Sequence, residues 1–66
     1  MRLTVNGETR EVAAATTIEA LVSLLGLDRR KLAIERNLDI LPRARWQQTL
    51  VEAGDSFEIV QFVGGG

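Results

Sequence analysis

Cysteine and histidine are both absent from the 66 residues, tyrosine is absent too, and there is one proline, one tryptophan and two phenylalanines. Without cysteine there is no disulfide, no thiolate nucleophile and no sulfur-ligated metal. Without histidine the commonest metal ligand and the commonest acid/base catalyst are missing. Most enzyme chemistries are excluded with them. An excess of one charge is lacking as well: eight Lys and Arg stand against nine Asp and Glu, for a net charge of -1. So balanced a chain has no broad attraction for phosphate polymers, and nucleic acid is not expected as a partner. No apolar run approaches the ~20 residues a membrane helix needs. The first residues also lack the basic-then-apolar pattern of a secretory signal, so no membrane partner is expected and the cytoplasm is the expected compartment.

What is present is the composition of a folded domain, with 45% hydrophobic and 26% charged residues. A single domain of this length buries only about 60% of the surface its unfolded chain exposes. Once its core is filled it has little volume left for a concave pocket, which argues against a free-standing enzyme. The nine carboxylates lie mostly in turns, caps or exposed strand positions and read as solvated surface, since unpaired charges are rarely buried.

Met1, Leu3 and Val5 alternate with Arg2 and Thr4, the period of a strand with one buried face. Asn6-Gly7 tolerates positive φ at both positions and predicts a two-residue hairpin turn, with a return strand from Glu8 to about Val12. That register sets Glu8 and Arg10 on the face of Val5 and Leu3, which suggests a second strand that is either splayed away or at a sheet edge. Thr16-Thr17-Ile18-Glu19 starts a helix through a capping box. Ile18, Leu21, Val22 and Leu25 form its apolar stripe over about three turns, and Gly26 ends it. Leu32 to Arg36 predicts a third strand, Asn37-Leu38-Asp39 a turn, and Ile40-Leu41 a short strand stopped by Pro42. A helical turn around Trp46, a short strand near Thr49 to Val51, a turn at Ala53-Gly54-Asp55 and a final strand from Ser56 to Val63 complete the order. The resulting expectation is an α+β domain over residues 1–63, a mixed sheet of four to five strands packed on one helix in a β-grasp, followed by a glycine tail, 64–66.

Few groups carry chemistry. Arg29, Arg30 and Lys31, with Arg36, Arg43 and Arg45, could steer an acidic surface, but read first as charge that solubilises the end of a helix. Trp46 reads as a cover for one edge of the core beside Pro42, with an interface anchor as the alternative. In the last strand Phe57, Ile59, Gln61 and Val63 share one face; Ser56, Glu58, Val60 and Phe62 share the other. If the first meets the helix, the second turns apolar toward the tail, and exposed apolar residues gathered together mark docking surfaces. Val60, Phe62 and Val63 are the docking candidates. Gly64, Gly65 and Gly66 have no side chain to pack and a large ordering entropy, so a folding role is hard to assign them. Extended, three residues reach roughly 10 Å through a channel too narrow for a β-carbon. The α-carboxylate of Gly66, with an intrinsic pKa of about 3.3 to 3.7, is ionised at neutral pH and can act as a nucleophile toward ATP.

Taken together, Val5-Asn6-Gly7-Glu8, Thr17-Ile18-Glu19-Ala20-Leu21, Ala33-Ile34-Glu35-Arg36-Asn37, Ile40-Leu41-Pro42-Arg43 with Trp46, Gly54-Asp55 and the final Gly65-Gly66 resemble the ThiS family of sulfur carriers in thiamine biosynthesis. The resemblance runs from end to end. Leu38 departs from it, standing where the family often has glycine, and Gly64 replaces a small residue. The resemblance implies a ubiquitin-like β-grasp and a carrier that is acted upon by enzymes and is not one itself. A ThiF-like adenylating enzyme would use ATP and magnesium to adenylate Gly66. A cysteine desulfurase persulfide would then supply sulfur to leave a thiocarboxylate, and a ThiG-like thiazole synthase would accept it. Gly64 and Gly65 would thread into the partners' sites, and no metal is expected on the chain itself. A MoaD-like carrier for molybdopterin or another thiolation pathway, a ubiquitin-like protein modifier, and a β-grasp binding module without covalent chemistry are the alternatives.

Overall fold

The computed structural model describes residues 1–62. Five strands, β1 (Arg2–Val5), β2 (Glu8–Glu11), β3 (Leu32–Arg36), β4 (Asp39–Ile40) and β5 (Ser56–Gln61), form one mixed sheet in the order β2-β1-β5-β3-β4. Among the described residues one α-helix, α1 (Ile18–Leu24), follows β2, and short 3-10 turns cover Arg29–Lys31 and, leading into Trp46 as expected, Arg43–Arg45. The last strand in sequence lies at the centre of the sheet, parallel to β1 and antiparallel to β3. This is the expected β-grasp.

Alternation decides which face is covered. Leu3 and Val5, Leu32 and Ile34, and Phe57 and Ile59 project from β1, β3 and β5 into one core with Ile18, Leu21 and Val22 of α1, closed by Trp46 and Val51. Of the two expected forms β2 takes that of a regularly paired edge strand: Val5 stands opposite Glu8 and Leu3 opposite Arg10, and all four β2 residues are exposed.

The helix has seven residues, two turns instead of three, too few to persist in water without packing. Its free N-H groups are all accounted for. Ile18 donates to the Thr49 carbonyl at 2.9 Å, Glu19 to that of Trp46 at 3.1 Å, and Ala20 to the Thr17 hydroxyl at 3.1 Å. Because Thr17 is the cap, its third helical residue is Ala20, and the reciprocal arm expected of Glu19 does not form. Glu19 binds Arg29 at 2.7 Å instead. At the other end Gly26, at φ +72, donates to Ser23 and Leu27 donates to Val22, the paired bonds of a Schellman motif.

Three expectations are revised. The strand near Thr49 to Val51 shrinks to one bridge between Thr17 and Leu50, made by the Ile18 N-H on the Thr49 carbonyl and the Val51 N-H on the Thr16 carbonyl, because the partner segment turns into α1 at Ile18. β4 covers Asp39–Ile40, one residue earlier than predicted, since Asn37 (φ +50) and Leu38 (φ +75) alone make the turn. β5 ends at Gln61, before Phe62, and the expected end at Val63 lies outside the described residues. No helix among the described residues is long and apolar enough to cross a membrane.

Candidate functional site

The centre of interest is the end of β5 and the sheet face opposite α1. Two asparagines fix that strand. Asn6, at φ +51 in the first turn, accepts from the Ile59 N-H at 2.7 Å and donates to the Ile59 carbonyl at 3.2 Å. Its side-chain amide continues the β1–β5 ladder where the β1 backbone turns away. Asn37, at φ +50 in the β3–β4 turn, accepts from the Ser56 N-H at 3.0 Å and donates to Asp55 at 3.4 Å. In the sequence alone both read only as turn residues. A signal for more is present there: each hairpin opens its turn with the one short side chain that carries both an amide donor and an amide acceptor.

Asp55 departs from the surface reading of the carboxylates, being 5% exposed. Its burial is offset by partners: the Arg36 guanidinium at 2.9 Å and the Glu52 N-H at 2.8 Å. The knot it makes ties the turn before β5 to the end of β3.

Beyond it, β5 delivers its side chains as the alternation requires. Phe57 and Ile59 are buried; Val60 and Phe62 are 58% and 55% exposed on the open face. The Phe62 N-H still donates to the Lys31 carbonyl at 2.8 Å, so the sheet holds the backbone to that point. Ala33 stands across from Val60 on β3, and Ile40, also exposed, lies across from Glu35 on β4. Phe62, Ala33 and Ile40 with Leu41 and Pro42 line a section of a shallow apolar groove of about 210 Å³. The structure therefore brings two of the docking candidates, Val60 and Phe62, together, and adds Ile40, which sequence reasoning missed. Val63, Gly64, Gly65 and Gly66, the remaining docking, threading and reactive positions, lie outside the described residues.

The basic residues are mostly occupied with their own fold. Arg29 pairs with Glu19 in the first turn of α1, not at its C-terminal end, because a helix only about 10 Å long brings both ends within reach of an arginine. Arg30 clasps Asp28 through its backbone N-H and its guanidinium, and these bonds pull the Asp28 carboxyl down to about 2. Arg43 donates to the Leu32 carbonyl at 2.8 Å and sits 5.6 Å from the Trp46 ring centre. Trp46 is a core residue, 1% exposed, its indole N-H on the Leu41 carbonyl at 3.0 Å. Among the described residues no cluster of carboxylates could hold a metal ion.

Comparison with known proteins places this geometry in context. The model of the ThiS family matches residues 3–66. A thiazole synthase of Paramagnetospirillum magneticum is 52% identical over all 66 residues, and the chain spans 20% of that protein's length. The sulfur carrier protein ThiS of Escherichia coli is 30% identical, with each chain covered in full. The crystal structure of a thiamine biosynthesis protein (ThiS) from Geobacter metallireducens superposes with a TM-score of 0.84 at 35% identity, again over the whole of both chains.

Proposed function

Because the chain belongs to the ThiS family, we propose that it is the sulfur carrier of thiamine biosynthesis, a protein cosubstrate whose reactive group is the carboxylate of Gly66. The observation that carries the reading is a family match that includes the terminal glycines, on a fold whose central strand runs toward them beside an exposed apolar strip.

The chemistry follows from the group available. A carboxylate is resonance-stabilised and does not surrender an oxygen until it has a good leaving group. Attack of the Gly66 carboxylate on the α-phosphorus of ATP, on a ThiF-like enzyme with magnesium, would release pyrophosphate and leave an acyl adenylate. A persulfide formed through a cysteine desulfurase would displace AMP to give an acyl disulfide, and attack of a second thiol on the carrier-distal sulfur would then release the thiocarboxylate and leave a disulfide on the donor. A ThiG-like thiazole synthase would take that sulfur into the thiazole ring and return the carboxylate. No side chain of the carrier needs to act as acid or base. Val60, Phe62 and Val63 dock the enzymes, while Gly64 and Gly65, without β-carbons, pass through a narrow channel.

Incubation with the cognate adenylating enzyme, ATP, magnesium and a sulfur donor tests the reading by intact-protein mass spectrometry. One oxygen exchanged for sulfur at Gly66 is expected. An unchanged mass with an enzyme proven active on ATP overturns it.

A further inference from the structure

The open face of the sheet carries an expense that the fold does not need. Glu35 of β3 and Glu58 of β5 stand directly opposite each other, with both residues exposed. Like charges in that position destabilise a sheet. Six of the nine carboxylates, Glu8, Glu11, Glu19, Asp28, Glu52 and Asp55, have a cation within 4.0 Å; among the described residues Glu35, Asp39 and Glu58 have none, and of these Glu35 and Glu58 are the two that face each other across the sheet. The acids are also not isolated in a polar field. Ile40 extends their row on β4, Val60 and Ala33 form the adjoining row, and Phe62 lies beyond Val60.

A surface that meets this one must therefore supply a positive charge and apolar contact together. Given the function proposed above, we infer that Glu35 and Glu58 jointly receive a lysine or arginine set among apolar side chains on the thiazole synthase. The thiazole synthase is the chosen partner because a relative of that name carries a unit like this one within its own chain. A cation laid between the two carboxylates relieves their repulsion on docking, so a cost in the free carrier becomes a gain in the complex. The apolar strip of Val60 and Phe62 is available to either enzyme.

Binding of the full-length carrier to the thiazole synthase of the same organism, measured by calorimetry at several ionic strengths, tests this. Wild-type affinity is expected to fall as salt rises. The Glu35→Gln/Glu58→Gln variant is expected to bind at least about tenfold more weakly, with a flatter salt dependence, while melting no lower than wild type. Glu58→Lys is expected to weaken binding further, and Glu8→Gln, on the edge strand, to leave it unchanged. Double-Gln affinity within about twofold of wild type overturns the inference, as does a wild-type carrier that does not bind. So does a double-Gln variant that keeps full affinity for the thiazole synthase and loses adenylation, which would move the pair to the other partner. Failure of the carrier reading is registered separately, by the mass of wild-type Gly66 after activation.

Discussion

Leu38 offers the sharpest test of the backbone reasoning. It sits at φ +75 and is 86% exposed, so it bears left-handed strain without burial to offset it. The first hairpin makes the comparable turn with Gly7 at φ +80. An L-residue in the left-handed region costs roughly 1–2 kcal/mol, whereas glycine costs about 0.5–1 kcal/mol of extra chain entropy on folding. Leu38→Gly should therefore stabilise the domain by about 0.5–1 kcal/mol, a rise in melting temperature of roughly 2–8 °C for a domain of this size. Gly7→Leu, the mirror experiment, should lower it by a similar amount; a β-carbon there meets nothing within 4 Å, so the loss is strain alone. Thermal unfolding followed by circular dichroism reads both. A Leu38→Gly protein that melts at or below the wild-type temperature refutes the argument, because it requires Leu38 to make a stabilising contact its exposure denies.

Three further outcomes follow from the same structure. Asp55→Ala strands the Glu52 N-H and removes the buried one of two carboxylates on Arg36, which keeps Glu52 at 3.0 Å, and should cost about 1–3 kcal/mol, read as a lower urea midpoint with an unchanged slope. Asp28, lowered from 3.8 to about 2 by Arg30, stabilises its turn above its unfolded pKa. That contribution is lost as pH falls from about 4 through 2, so an NMR titration should place its midpoint near 2 and Arg30→Ala should move it up toward 3.8. Phe62→Asp should leave melting within about 0.5 kcal/mol of wild type, because the ring is half exposed, and should depress adenylation measured as pyrophosphate release. Unchanged turnover would place Phe62 outside that interface.

Much of this architecture is legible in the sequence because the signals are local. Asn6-Gly7, the helical stripe with its closing Gly26, and the alternation of β3 and β5 each depend on residues within a few positions of one another. What escapes depends on distance in the chain. Nothing near Asp55 reveals that Arg36 will meet it, and nothing near Asn6 reveals that its amide will clasp Ile59, 53 residues away. The fate of Thr49 to Val51 depends on its partner, the segment at Thr16 and Thr17, which turns into α1 at Ile18, and a pass along the chain does not show that pairing. At the candidate site, Val60 and Phe62 are found by their period of two. Ile40 and the opposition of Glu35 to Glu58 require the register between strands.

The central position of β5 has a mechanical consequence. A pull on the C-terminal end of β5 acts along the strand axis, against bonds to β1 on one side and β3 on the other. Those bonds lie across the pull and must yield together in shear; at an outer strand they could open in succession like a zipper. A strand so held withstands a tug on its end that would peel an outer strand away.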